Sequence, residues 1–153
     1  MPSRNRERDN PLVLDEFLCF AVYSLNHAFT RVYKPLLDRL GLTYPQYLVM
    51  VSLWENDAQT VGELGRKLSL MSSTLTPLLK RLETAGHVAR SRDPADERQV
   101  RVSSTQSGRA LRKKALGVPR CVLEATGMTG DEVGRLRGKI AALQAILESA
   151  PGA

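Results

Sequence analysis

The reactive chemistry of this chain is concentrated in its first third, where Cys19 stands with Tyr23, Tyr33, Tyr44 and Tyr47, every tyrosine in the sequence. A thiol is a strong nucleophile only as the thiolate. Phenolic hydroxyls that donate hydrogen bonds to sulfur favour that charged form, which reacts with peroxides. At about 100° of rotation per residue, Tyr23, Thr30 and Tyr33 each fall within about 40° of Cys19 on a helix and share its face. Tyr33 nevertheless lies fourteen residues past Cys19, about 21 Å along a straight helix, so the two cannot meet within one chain. A Tyr33 that reaches the thiol must come from an antiparallel helix of a second copy. The bland alternative makes Cys19 a small buried hydrophobe among aromatic neighbours, and spacing alone leaves both open.

Helical periodicity supplies the elements that position these groups. Leu14, Leu18, Ala21, Leu25, Ala28, Val32, Leu36 and Leu40 keep a 3.6-residue rhythm, which predicts a first helix over residues 12–40, interrupted and kinked at Pro35. Pro45 opens a second helix to residue 55, since proline suits a first helical turn. Thr60 and Glu63 have capping-box spacing and open a short third helix ending near Leu68. A fourth is predicted over residues 72–85. Residues 107–125 read as a fifth helix with a break at Pro119. Thr129 and Glu132 cap a sixth running to Ser149.

The fourth helix and the segment after it have the outline of a DNA reader. Leu75, Leu78, Leu79 and Leu82 form one apolar stripe, while Ser73, Thr74, Thr76, Lys80 and Arg81 project from other faces. Gly86 marks the helix end. Two short strands around Val88, Arg90, Arg92 and around Val100, Arg101, Val102, Ser103 flank a loop rich in Asp and Pro, with Arg98 near its tip. That order is a winged helix. From Lys80 to Lys114 ten Lys and Arg stand against four Asp and Glu, whereas the remaining residues carry twelve of each. The whole net charge of +6 therefore sits in one stretch, the footprint of phosphate contacts rather than of an ordinary solvated face.

Other classes find little support. No run approaches the ~18 apolar residues that span a bilayer, and the charged start of the chain has no apolar core behind it, so a cytoplasmic protein is expected. His27 and His87 stand apart, without zinc-ligand spacing, and Gly62 and Gly65 are too sparse for a phosphate cradle. No metal, cofactor or catalytic constellation is expected. Cys19 and Cys121 lie 102 residues apart and in a reducing compartment are free thiols rather than a staple. A thiol peroxidase could use such a pair, but the basic wing argues against an enzyme. A regulator that senses a small aromatic ligand is the alternative within the binding class, and an architectural DNA binder would leave the tyrosines unexplained.

The closing helix presents Val133, Leu136, Ile140, Leu143 and Leu147 at three- and four-residue intervals, more apolar surface than a small winged-helix core can cover. It is expected to pack with the first helix across a two-fold axis. Such a homodimer places two reading helices about 34 to 36 Å apart on a palindromic site in double-stranded DNA. The expected organisation is a charged tail over residues 1–11, a sensor and dimerisation helix over 12–45, a DNA-binding unit over 46–104 and dimerisation helices over 105–150. The fold class is mainly α with a small antiparallel β-hairpin wing.

The runs Leu18-Cys19-Phe20-Ala21-Val22-Tyr23-Ser24, Tyr33-Lys34-Pro35-Leu36-Leu37, Leu42-Thr43-Tyr44-Pro45-Gln46-Tyr47-Leu48 and Thr74 through Glu83 resemble the organic hydroperoxide resistance repressors of the MarR family. The resemblance covers residues 14–119. It implies a homodimeric winged-helix repressor that leaves its operator when one cysteine is oxidised by an organic hydroperoxide. By that likeness Cys19 is the redox-sensing thiol, supported by Tyr33 and Tyr44 of the other subunit with Tyr23 nearby. Cys121 stands where the two-cysteine members have their resolving residue, which forms a disulfide between subunits. Arg98 enters the minor groove, oriented by Asp96, and the helix around Thr74, Thr76 and Lys80 lies in the major groove. The DNA-contacting set is then Ser72, Ser73, Thr74, Thr76, Pro77, Lys80, Arg81, Arg90, Arg92, Asp96 and Arg98. Two departures bear on DNA reading. Met71-Ser72-Ser73-Thr74 replaces the usual Asp-Ser-Gly-Thr, with Ser72 or Ser73 expected to cap the helix, and Ser104 stands where leucine is usual.

Overall fold

The computed structural model describes residues 11–152, so the charged start of the chain falls outside it. The helices are α1 (Leu18–Asp38), α2 (Tyr44–Glu55), α3 (Val61–Leu68), α4 (Ser72–Thr84), α5 (Gln106–Ala115), α6 (Val118–Thr126) and α7 (Gly130–Glu148). Three strands, β1 (Gln59–Thr60), β2 (Val88–Arg92) and β3 (Val100–Ser104), form an antiparallel sheet in the order β1-β3-β2. This is the mainly helical architecture with a hairpin wing that the sequence predicts. Among the described residues no helix is long and apolar enough to cross a membrane.

Local chemistry explains most of the boundaries. Reciprocal capping boxes start α2 at Thr43 and Gln46, α3 at Thr60 and Glu63, and α7 at Thr129 and Glu132. In each, the threonine hydroxyl accepts the N3 amide while the N3 side chain accepts the cap amide, satisfying two donors the helix leaves open. At the far end of α4, Gly86 takes φ +80°. There the His87 amide reaches the Leu82 carbonyl at 3.0 Å and the Gly86 amide reaches Glu83 at 2.9 Å. That pairing closes a helix with a left-handed residue, where glycine escapes the Cβ clash.

Four expectations need correction. The first helix begins at Leu18, not residue 12, because a single 3-10 turn at Leu14–Glu16 and an extended Phe17 precede it. Apolar rhythm identifies a face, not a start. Pro35 does not interrupt α1, which carries on to Asp38 and loses only the hydrogen bond its ring nitrogen cannot donate. The break between α5 and α6 falls at Leu116 and Gly117 rather than Pro119, which sits in the first turn of α6 where no amide partner is required. The N-cap of α4 is Met71 with no side-chain cap, so Ser72 and Ser73 lie inside the helix and do not cap it. Strand β1 was not foreseen. Two residues carry no alternation, and only pairing with Val102 and Arg101 makes them a strand.

The core gathers around α2. Val49, Met50 and Leu53 meet Leu37 of α1, Leu64 of α3, Leu75, Leu79 and Leu82 of α4, Val102 of β3 and Leu111 of α5. Gly108 lets α5 pass the base of the wing. A Cβ there would stand 2.1 Å from the His87 carbonyl oxygen, and the Gly108 carbonyl accepts the Trp54 indole N–H at 2.9 Å. In contrast, α7 has no buried residue within the single chain.

Candidate nucleic-acid interface and thiol site

Burial of Leu75, Leu78, Leu79 and Leu82 turns the opposite side of α4 outward, leaving Ser72, Ser73, Thr74, Thr76, Pro77, Lys80 and Arg81 exposed. The hairpin pairs five residues of each strand, Val88 with Ser104 at the base through Arg92 with Val100 at the loop. Val88, Val102 and Ser104 point inward, and the loop beyond them carries Arg98 fully outside. The Arg98 amide donates to Asp96 Oδ1 at 3.1 Å, and the Gln99 side-chain amide donates to Asp96 Oδ2 at 3.4 Å. Asp96 thus shapes the backbone at the tip; what it accepts from Arg98 is the main-chain amide.

A cleft of about 580 Å³ lies between α3, α4 and the wing, lined by Thr76, Arg66, Arg90, Arg98 and Glu63 among others. It brings the exposed face of α4 and the wing tip to one surface, as a groove-reading module requires. The basic residues differ in their commitments. Arg90 is engaged by Glu83 of α4, its Nε at 3.0 Å and Nη2 at 2.7 Å from the same carboxylate oxygen. The hydrogen bond and charge of Arg90 hold the Glu83 carboxyl below its ordinary range. Arg92 reaches only the Glu97 carbonyl, at 3.4 Å. Arg66 lies in the last turn of α3, outside the basic stretch that begins at Lys80, and the Arg66-Lys67 pair in the turn before the reading helix is the sequence signal that marks it.

Cys19 and Cys121 are both free thiols, exposed in the single chain. The tyrosines divide into two groups. Tyr33 packs against Tyr44 with ring centres 4.8 Å apart and against Tyr47 at 6.0 Å, where the end of α1 meets the start of α2. Burial, reinforced by Tyr44 and Tyr47, pushes the Tyr33 phenol up to about 12, so it remains a proton donor throughout the neutral range. Tyr44 and Tyr47 shift the same way, chiefly through burial. Tyr23 stays at the other end of α1, one helical turn from Cys19, its ring edge-on to His27 at 4.4 Å and near Phe20 at 6.3 Å. The thiol and the Tyr33 cluster are therefore held apart by the length of α1, as helix geometry demands.

Known proteins resemble this chain over most of its length. The family of transcriptional regulators SarA and Rot matches residues 31–115. The HTH-type transcriptional regulator TtmR of Methylorubrum extorquens is 50% identical over 95% of this chain and 74% of its own length. The organic hydroperoxide resistance transcriptional regulator of Bacillus subtilis is 42% identical, covering 89% of this chain and 90% of the relative. Reduced, DNA-bound AbfR, a protein of Staphylococcus epidermidis, superimposes with a TM-score of 0.72 at 35% identity over 85% of this chain and 90% of its own. The disulfide-formed state of AbfR superimposes with a TM-score of 0.59 at 37% identity, over 82% of this chain and 88% of its own. With a winged helix, a basic reading face and relatives of this kind, the chain is a DNA-binding transcriptional regulator rather than an enzyme, and it belongs to the MarR family.

Proposed function

We propose that this regulator is a homodimeric repressor that senses organic hydroperoxides at Cys19 and then releases a palindromic operator. The observation that carries the reading is the pairing of an exposed Cys19 near the start of α1 with a Tyr33–Tyr44 pair near its end. In an antiparallel dimer the partner subunit's Tyr33 and the partner subunit's Tyr44 come to Cys19 and donate hydrogen bonds to its thiolate. The apolar stripe of α7, with Leu136, Ile140 and Leu147 exposed, supplies a surface for that dimer.

The chemistry balances without a cofactor. The Cys19 thiolate attacks the terminal oxygen of the hydroperoxide, the O–O bond breaks, and the alkoxide leaves as an alcohol after taking a proton. Cys19 is oxidised to a sulfenic acid. The thiol of the partner subunit's Cys121 attacks that sulfur, forming the S–S bond and expelling the oxygen as water. A disulfide needs α-carbons within about 7 Å, so closure draws α1 and α6 together and respaces the two reading helices. The Bacillus relative named for organic hydroperoxide resistance and the disulfide-formed AbfR support this reading.

The test is operator binding titrated with cumene hydroperoxide. Wild-type protein is expected to lose binding and run as a covalent dimer on non-reducing gels, while Cys19→Ser stays bound at every dose. Release of Cys19→Ser by oxidant would overturn the reading, and a small-thiol adduct on monomer would remove Cys121 from it. A second reading is favoured by one feature, an apolar groove of about 250 Å³ between α1, α6 and α7 lined by Leu25, Phe29, Val32, Val122 and Leu136. It would suit a small aromatic effector, and peroxide-independent release by such a compound would establish it.

A further inference from the structure

We propose that Arg101 serves DNA binding as a positioning residue, clamping the wing to the turn after α2, and not as a phosphate contact. Its place among the ten basic residues from Lys80 to Lys114 suggests otherwise. Its hydrogen bonds do not. Arg101 Nε donates to Asp93 Oδ2 at 3.0 Å, Nη2 donates to the same oxygen, and Nη1 donates to the Ala58 carbonyl. A planar guanidinium whose two edges are already taken holds a fixed orientation and has little left for a phosphate.

Both partners are themselves held. Asp93 opens the wing loop, is only 5% exposed, accepts the Ala95 amide at 2.8 Å and donates its own amide to the Gln99 carbonyl at 2.9 Å. Ala58 has φ +56°, a left-handed conformation that a residue with a Cβ keeps only when its surroundings enforce it. The enforcing group is Asp57. Its Oδ1 accepts the Ala58 amide at 2.9 Å and the Ser104 amide at 2.8 Å, and its Oδ2 accepts the Ser104 hydroxyl at 2.8 Å. Ser104, which departs from the usual leucine, thus has a partner of its own.

The wing is therefore fastened at two points to residues 57–58, at its loop through Asp93 and Arg101 and at the end of β3 through Ser104. Those residues come directly after α2, the buried centre of the fold. Two fixed points set the angle at which the hairpin leaves the body, and so where Arg98 is presented. The proposal rests on the reading that Arg98 meets DNA, and the experiment separates the two.

Binding is measured across a salt series on a duplex selected by the wild-type protein from a randomised pool and on a scrambled duplex, with circular dichroism and thermal unfolding reporting the fold. Removing a negative charge near DNA ordinarily strengthens binding; the clamp predicts that Asp93→Asn weakens it on the selected duplex, by about tenfold. Arg101→Gln should lose as much, keep the salt slope of the wild type and add nothing to Arg98→Ala. Arg101→Lys should not restore binding, because one ammonium cannot span both partners. Tighter binding by Asp93→Asn, or a salt slope smaller by about one in Arg101→Gln with full rescue by lysine, would overturn the clamp. Should Arg101→Gln fail to fold, Asp93→Asn and Ser104→Ala still test it by the direction of their effect. A neutral Arg98→Ala beside a weakened Asp93→Asn removes the minor-groove reading and leaves the clamp; the reverse removes the clamp alone.

Discussion

The centre of the chain and its two ends obey different rules of burial. From α2 to α5 the chain closes on itself: Leu64, Leu75, Leu82 and Val102 are fully buried, and Glu83 and Asp93 are paired with Arg90 and Arg101 of the wing. At the ends, Leu18 of α1 is 61% exposed and Ile140 of α7 is 51% exposed. Each buried aliphatic side chain contributes about 1.5 to 3 kcal/mol relative to leaving it in water, so an open apolar stripe marks surface meant for another molecule. The difference teaches where a reading head and a switch can be separated. On the proposed reading, a self-sufficient centre keeps its shape while the ends change partners.

The sharpest way to break that contrast is a matched pair of truncations. Leu79→Ala, in the closed centre, should lower unfolding stability by about 2 to 5 kcal/mol at every protein concentration. Ile140→Ala should instead show a loss that is largest at high protein concentration and shrinks as the protein is diluted, read by chemical denaturation at several concentrations, because on the proposed reading its stripe is covered only in the dimer. Equal, concentration-independent losses would dissolve the distinction. A smaller effect sharpens the DNA side. Arg98→Ala should cost about 1 to 3 kcal/mol of operator binding measured by fluorescence anisotropy, and a loss of a few tenths would show that the wing tip does not reach the groove.

Gly108→Ala tests how tightly the centre is packed. The new Cβ has no room beside the His87 carbonyl, so roughly 1 to 3 kcal/mol of stability should be lost by thermal unfolding. The mildest perturbation is acid. The Ala95 amide and then the Arg101 guanidinium hold the Asp93 carboxyl below its ordinary range. Burial pushes Asp57 upward, yet the Ser104 amide and hydroxyl with the Ala58 amide bring it below its ordinary range. Groups with depressed pKa stabilise the fold above their unfolded pKa and lose that contribution as pH falls through the folded one. Wing protection in amide exchange should therefore hold across the neutral range and fall only below about pH 4, the ordinary carboxylate range. Loss of protection already nearer pH 6 would show that these two carboxylates do not set the wing's stability.

Much of the fold was legible because local chemistry marks its own boundaries. Threonine three residues before Glu starts α3 and α7, Pro45 marks the first turn of α2, and Gly86 ends α4. The start of α1 was not legible, since Leu14 and Leu18 satisfy the helical rhythm on either side of an extended Phe17. On the reading face, Thr76, Lys80 and Arg98 could be placed outward from the leucine stripe and the turn chemistry alone. What Arg90 and Arg101 do could not. Each looks like one more positive charge until Glu83 and Asp93, seven and eight residues away, are seen to occupy it.

Sequence by itself determined the class of the molecule. Periodicity, caps and a charge excess confined to one stretch define a winged helix that meets DNA, and helix length alone keeps Cys19 from Tyr33 of its own chain. The tertiary structure decided which charges are free. A guanidinium is spent or available according to the carboxylates and carbonyls that folding brings within 3 Å of it, and those come from other elements whose approach no local pattern encodes.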